Sequence, residues 1–91
     1  MAELNMEKLD ALAGKVVGNA NAALSGLLAY IGDQTGVYRA MADGEPRSVD
    51  EIATKAGVDS RYLKELLSAN AANEYVNYDA ASEKFSLSPE Q

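Results

Sequence analysis

Apolar residues recur at every third or fourth position along the first third of the chain. Between Leu9 and Ile31 they fall on one side of a helical projection, which is the pattern of a long amphipathic helix. We call this side the large apolar face, and its members are Leu9, Leu12, Ala13, Val16, Val17, Ala20, Leu24, Leu27, Leu28 and Ile31. Asn5 can cap the helix start, although Lys8 stands where a capping box has an acid. We expect the fold to cover the large apolar face.

A second helix is predicted from Gln34 to Ala42. Asp33 can serve as its N-cap, and the Asp-Gly-Glu-Pro sequence at 43–46 ends it. Its apolar members are Val37, Tyr38, Met41 and Ala42.

Two capped helices separated by a tight turn come next. The sequence Ser-Val-Asp-Glu at 48–51 is an S-x-x-E capping box, and Gly57 is a natural left-handed stop for the helix that it opens. Asp59 then caps a longer helix, whose apolar side is formed by Tyr62, Leu63, Leu66, Leu67 and Ala71. A short capped helix, a turn with glycine and a longer capped helix are typical of a helix-turn-helix.

Two short aromatic segments near the end of the sequence predict a β-hairpin. They run from Tyr75 to Tyr78 and from Lys84 to Leu87, with polar and small residues at 79–82 between them. Two strands alone are marginal in water, so this hairpin must pack on the helices as a wing. The predicted fold is therefore mainly α: a winged helix-turn-helix with a long N-terminal helical extension and a two-stranded wing. Residues 1–44 form the helical, dimerising segment and 45–91 the winged helix-turn-helix, together one domain.

A stripe of small residues follows the long first helix. Gly14, Gly18, Ala22 and Gly26 are spaced four apart, and each interior glycine costs roughly 1 kcal/mol of helix stability relative to alanine. Such a stripe calls for a packing reason, most simply the close approach of a second helix across a homodimer interface. Two alternatives stay open: a neighbouring helix of the same chain packs there, or Gly18 marks a kink.

Charge and composition restrict the function further. The 91 residues carry a net charge of −6 and contain no Cys and no His, so thiolate chemistry and the commonest metal ligand are absent. The predicted recognition helix exposes Arg61, Lys64, Glu65 and Ser68, whose charges nearly cancel. Nucleic acid is disfavoured as a partner, because affinity for phosphates comes mainly from Lys and Arg. The alternative to nucleic-acid binding is that these charged side chains solvate an outer face of the helix. We expect a cytoplasmic protein without a membrane span.

No arrangement in the sequence points to catalysis. The fourteen acidic residues fall mostly in predicted caps and turns, and no phosphate-binding or nucleophile-elbow motif occurs. Among the aromatic residues, Tyr30 lies near the end of the long helix beside Gly26, where it could face a pocket or a partner rather than the core. We expect no catalytic, cofactor or metal site in these residues, and the sequence leaves open whether they are part of an enzyme.

The chain resembles the N-terminal domain of bacterial class I methyltransferases that depend on S-adenosylmethionine. The likeness is carried by GKVVG at 14–18, AALS at 22–25, IGDQTGVYRAMA at 31–42, SVDEIA at 48–53, RYLKELL at 61–67 and YVNYD at 75–79. The order of these segments is also similar to the dimerisation domain of small-molecule O-methyltransferases. One departure is Asn73-Glu74, where the family often has two glycines before the first wing strand.

The resemblance implies an accessory function. In those families the winged helix pairs two protomers and closes over the substrate pocket of the catalytic domain, and it does not bind DNA. It implies that Gly14, Gly18, Ala22 and Gly26 lie at a homodimer interface, and that Tyr30 and Asp33 approach the substrate pocket. S-adenosylmethionine is expected only in a following or partner methyltransferase domain, because the Gly-rich cofactor loop is missing from this sequence. A small transcription regulator and a stand-alone interaction module are the alternatives.

Overall fold

The computed structural model describes residues 3–91, and the predicted winged helix-turn-helix is confirmed in that part of the chain. The helices are α1 (Met6–Gln34), α2 (Val37–Ala40), α3 (Val49–Ala56) and α4 (Ser60–Ala72), and the strands are β1 (Asn77–Asp79) and β2 (Lys84–Ser86). The two strands pair antiparallel, with Tyr78 opposite Phe85.

The long first helix begins as predicted and ends later than predicted. Asn5 caps α1, and its Oδ1 accepts a hydrogen bond from the backbone N–H of Lys8 at 3.2 Å. The assignment of Asp33 as a cap of the second helix is wrong, because α1 continues through it to Gln34. The chain reverses instead at Gly36, whose φ of 78° only glycine adopts freely, and this glycine is the N-cap of the short α2.

Both helices of the helix-turn-helix are capped by the residues that the sequence indicated. Ser48 and Glu51 form a complete capping box at the start of α3, with both hydrogen bonds at 3.2 Å. Gly57 ends α3 with a φ of 72°. Asp59 caps α4. Its carboxylate accepts hydrogen bonds from the first turn of α4, one of them at 2.9 Å from the backbone nitrogen of Arg61. Residues close in the sequence therefore fix where α3 begins and ends and where α4 begins.

A tight turn at Asn73 and Glu74 ends α4. Glu74 adopts the left-handed conformation with a φ of 62°. The N–H of Glu74 donates to the carbonyl of Ala71, and the N–H of Tyr75 donates to the carbonyl of Asn70. These two bonds form a Schellman motif, in which the left-handed position is usually glycine. In this chain a strained non-glycine residue makes the turn.

The wing is fastened to the helices through Phe85. This side chain is buried, and its backbone exchanges two hydrogen bonds with Arg47, at 2.8 and 3.0 Å. The segment before α3 therefore extends the hairpin by one bridge, which supplies the support that two strands lack by themselves. The Tyr78 ring packs on the Phe85 ring with 4.6 Å between the centroids.

A single hydrophobic core lies between α2, α3, α4 and the wing. Its buried members are Val37, Met41, Ile52, Ala53, Leu63, Leu66, Leu67, Val76 and Phe85. Leu28 is the one large apolar side chain of α1 that packs against this cluster. The core therefore belongs to the winged helix-turn-helix, and α1 reaches it only through its last turns.

Most of α1 projects from this body. Its 29 residues span about 43 Å, and the radius of gyration is 17.3 Å, against about 12 Å for a compact chain of this length. Every residue from 3 to 24 is exposed. The expectation that the fold covers the large apolar face is wrong, because the body touches only the C-terminal third of α1, and Leu28 is the member of this face that packs against the core.

Candidate protein interface

The side of α1 that meets the body consists mainly of small residues. Ser25, Ala29 and Gly32 lie on this side together with Leu28, and all four are at least partly buried. The Ser25 hydroxyl accepts a hydrogen bond of 2.9 Å from the Asn73 side chain at the end of α4. Small side chains let α1 approach α4 closely, as in other helix contacts with this pattern.

Gly32 and Tyr38 form the tightest contact between α1 and the body. The Tyr38 ring lies directly over Gly32, so that a Cβ on this residue would overlap the ring. The Tyr38 hydroxyl donates a hydrogen bond of 2.6 Å to Oδ1 of Asn70, which is itself buried. Burial raises the pKa of the Tyr38 hydroxyl, and the hydrogen bond to Asn70 acts in the opposite direction. This pair holds the end of α1 against α4.

The small-residue stripe itself has no neighbour within the described part of the chain. A Cβ added at Gly14, Gly18 or Gly26 would meet no atom within 4 Å, and Ala22 is exposed. Same-chain packing therefore explains the adjacent Ser25 and Ala29 but not the stripe. The helix also continues without interruption past Gly18.

The large apolar face of α1 is open to solvent over most of its length. Leu12, Val16 and Val17 are 58–59% exposed. The same face continues toward the body with Leu24 and Leu27, which are more than half exposed. Monomeric proteins rarely leave contiguous apolar patches of this kind, and such patches mark sites of interaction with proteins or membranes. This face is the first structural sign of a partner.

An apolar groove lies where this face reaches the body. It has a volume of about 510 Å³ and runs between the end of α1 and the start of α4. Its walls are formed mostly by apolar side chains, among them Leu24, Leu28, Ile31, Val58 and Tyr62. Asp59 and Glu65 also line the groove. The groove therefore continues the exposed apolar surface of α1 onto α4.

A second groove, of about 710 Å³, separates the exposed side of α4 from the wing. In a winged helix-turn-helix that binds DNA, this region would face the duplex. Arg61 and Lys64 line it, and so do Asp50 and Glu83, so that each cation has an acidic counterpart in the same groove. The groove is mixed in charge and not basic.

Two further cations of the helix-turn-helix are held by an acid of the same chain. Asp43 accepts two hydrogen bonds from the Arg47 guanidinium, at 2.6 and 2.7 Å, and its carboxylate is 3.5 Å from Nζ of Lys55. The hydrogen bonds from Arg47 hold the pKa of Asp43 well below its usual range. These cations are therefore partly neutralised before any phosphate could approach them.

The structure places Tyr30 and Asp33 one turn apart on α1. Tyr30 is 61% exposed, and Asp33 is exposed as well. Neither side chain lines the α1–α4 groove or the groove beside the wing. They are thus available to a partner, but no pocket of this chain is built around them within the residues described.

Sequence reasoning missed the residues of the apolar groove. Tyr62 was assigned to the apolar side of α4, but it is 68% exposed at the groove edge. The reason is its place on α4: the adjacent Leu63 is the residue buried in the core, and Tyr62 lies between the charged Asp59 and Glu65, which are about one helical turn before and after it. That combination of an aromatic side chain with charged neighbours is the signal that could have identified it.

Among residues 3–91, no helix is long and apolar enough to cross a membrane. The same residues contain no group of three or more acidic side chains, Cys or His placed to hold a metal ion.

The chain is a winged helix-turn-helix domain, because it combines the helix-turn-helix, the capped α4 and a wing that is attached to the helices. Comparison with known families identifies the particular family. A family model, described as the Rv2258c-like winged HTH domain, matches residues 22–91. The chain belongs to this family. The match begins at Ala22, inside α1, and includes the whole helix-turn-helix and the wing. A search of curated proteins gave no match.

Proposed function

We propose that this winged helix-turn-helix is the accessory domain of a cytoplasmic methyltransferase that depends on S-adenosylmethionine. Its task is to join two protomers and to help close the substrate pocket. The observation that carries the proposal is the exposed apolar surface of α1, which the core of the domain does not use. The link to methyltransferases rests on the sequence resemblance.

Homodimerisation is the first part of this function. We assign Gly14, Gly18, Ala22 and Gly26 as close-contact residues because nothing in the same chain covers them. The matched test compares Gly18→Leu with Gly18→Ala by sedimentation over a range of concentrations. Leucine blocks close helix approach and shifts the chain toward monomer, whereas alanine retains the dimer. Equal sedimentation of both variants as dimers removes the stripe from the interface, and a monomeric wild-type chain refutes homodimerisation.

Closing of the substrate pocket is the second part. Tyr30 and Asp33 are exposed near the end of α1, where a catalytic domain could be placed against them. In the methyltransferase that carries this domain, Tyr30→Ala should raise KM for the methyl acceptor and leave the affinity for S-adenosylmethionine unchanged. Arg61→Ala, at the groove beside the wing, is the matched surface control. An unchanged KM in both variants contradicts a role for Tyr30.

The methyl donor belongs to the catalytic domain in this proposal. The 91 residues lack the Gly-rich loop that such a cofactor requires. Calorimetric titration of the chain with S-adenosylmethionine should give no binding heat. Micromolar binding would refute the assignment of the cofactor to another domain.

DNA binding is the second candidate function, because the chain has the fold and because Arg61 and Lys64 lie on the exposed side of α4. It predicts retention on duplex DNA that weakens steeply with salt. The variant Arg61→Ala would reduce it, whereas Lys15→Ala, on the projecting helix, would not. The acidic Asp50 and Glu83 in the same groove argue for no retention at low salt.

A further inference from the structure

We propose that the apolar groove between α1 and α4 binds a compact organic cation, a molecule with an aromatic or branched alkyl body and one positive charge. The apolar walls of the groove accommodate the body, and the exposed Asp59, Tyr62 and Glu65 of its lining bind the charge. The site is separate from the substrate contact proposed for Tyr30 and Asp33, and it does not depend on that contact.

The groove has the size and the lining of a small-molecule site. Its volume of about 510 Å³ lies within the roughly 300–1,000 Å³ typical of such sites, which are mostly apolar with a few polar groups. On α1 the lining extends from Leu24 to Thr35, a stretch of about 17 Å along the helix axis. Residues 3–24 are exposed, so no second wall continues the groove toward the start of α1. The concave part therefore suits a compact molecule rather than a long helix.

Both charged side chains of the groove are acidic. Asp59 and Glu65 line it without any Lys or Arg, whereas the groove beside the wing contains both signs of charge. Among residues 3–91 the ion pairs all belong to Asp43, so no cation of the same chain neutralises either carboxylate of the apolar groove in this way. A cationic ligand supplies the missing opposite charge, and an anionic ligand is repelled.

Asp59 keeps an acceptor available for a ligand although it caps α4. Its hydrogen bonds from the backbone N–H groups of Arg61 and Tyr62 both end on Oδ1. Within the described part of the chain Oδ2 accepts no such bond, so it can face a cation. The Thr35 hydroxyl, which also lines the groove, already donates to the carbonyl of Ile31 at 2.8 Å. The polar groups of the groove therefore favour a cation over an anion.

Tyr62 adds an aromatic surface between the two carboxylates. Its side chain is 68% exposed, and it lies about one helical turn from both Asp59 and Glu65. The face of a tyrosine ring attracts a cation that lies within about 6 Å of its centre, and the carboxylates attract the same cation. An aromatic face, two carboxylates and apolar walls are together the features that recognise a hydrophobic cation.

The test uses two probes of nearly the same shape and opposite charge, tetraphenylphosphonium and tetraphenylborate. Each is titrated into the 91-residue chain, and binding is followed by proton–nitrogen correlation NMR, which reports both the affinity and the position of the probe. Tetraphenylphosphonium should shift the amide signals of Leu28, Val58 and Tyr62, which line the groove. It should bind at least about fivefold more tightly than tetraphenylborate.

A matched pair of variants separates the groove from the net charge of −6. Glu65→Gln and Glu45→Gln remove the same charge, but only Glu65 lines the groove. Glu65→Gln should weaken the binding of tetraphenylphosphonium about two- to fivefold, whereas Glu45→Gln should leave it close to that of wild type. Tyr62→Leu keeps an apolar side chain, removes the ring and should weaken binding by about the same factor. Circular dichroism of each variant confirms that the fold is retained.

Four outcomes overturn the inference. Equal affinity for the two probes, or an equal loss in both glutamine variants, means that the groove does not recognise charge. Tetraphenylphosphonium that shifts no amide of the groove binds elsewhere or not at all. Shifts of the same amides with rising protein concentration, without any probe, assign the groove to a second copy of the chain instead.

Discussion

One added methyl group tests how α1 is attached to the winged-helix body. In Gly32→Ala the new Cβ would overlap the Tyr38 ring, whose hydroxyl is held by the 2.6 Å hydrogen bond to Asn70. Overpacking of this kind costs about 1–3 kcal/mol, and moving the ring also sacrifices a hydrogen bond worth about 1 kcal/mol. The gain in helix propensity returns up to about 1 kcal/mol. We expect the free energy of unfolding to fall by about 1–3 kcal/mol.

Gly26→Ala is the matched control, since it makes the same change in the same helix at a position with no atom within 4 Å. It should raise the free energy of unfolding by about 0.5–1 kcal/mol. Urea unfolding followed by circular dichroism, at a low protein concentration that suppresses self-association, measures both variants. If Gly32→Ala is as stable as Gly26→Ala, the ring does not pack on Gly32 and the described attachment of α1 is incorrect.

Three further variants test the body itself. Tyr38→Phe leaves the buried Asn70 without its partner and should cost about 1–3 kcal/mol in urea unfolding; an unchanged midpoint would contradict the hydrogen bond. Leu67→Ala opens a cavity at a fully buried core position and should cost about 2–5 kcal/mol by the same assay, so a loss well below 1 kcal/mol would place Leu67 outside the core. Asp43 has a lowered pKa in the folded chain, because Arg47 donates to it. Its contribution to stability is therefore present above about pH 4 and lost as the pH falls below that value. Asp43→Asn should reduce the loss of stability in acid, measured as urea midpoints at decreasing pH, and an unchanged slope would contradict the ion pair.

The helix-turn-helix could be predicted from sequence because its boundaries are set by neighbouring residues. Ser48 with Glu51, Gly57, and Asp59 each act within four residues, and each does in the structure what the sequence indicated. The end of α1 could not be predicted in the same way. Asp33 is a residue type that often serves as an N-cap, but the hydrogen bonds of α1 continue past it. The chain turns only at Gly36, whose left-handed conformation allows the reversal.

The candidate interaction surface was harder to predict, because periodicity identifies an apolar face without identifying what covers it. Leu12 and Val16 have the spacing of core residues, yet they are exposed on the projecting part of α1. Packing between distant segments decides such cases. The body uses the side of α1 with Ser25 and Gly32 because small side chains allow the Tyr38 ring and α4 to come close.

The projecting part of α1 divides the chain into two regions with different sources of order. Residues 37–85 share a common core, whereas residues 6–24 of a single copy are held only by hydrogen bonds along the helix and by local propensity, which is marginal in water. Any partner that covers the apolar face therefore stabilises the helix by mass action. Amide exchange in residues 6–24, which open locally in a single copy, should slow as the partner concentration rises. The order of the first helix therefore depends on the concentration of its partner, and it can be used to detect assembly.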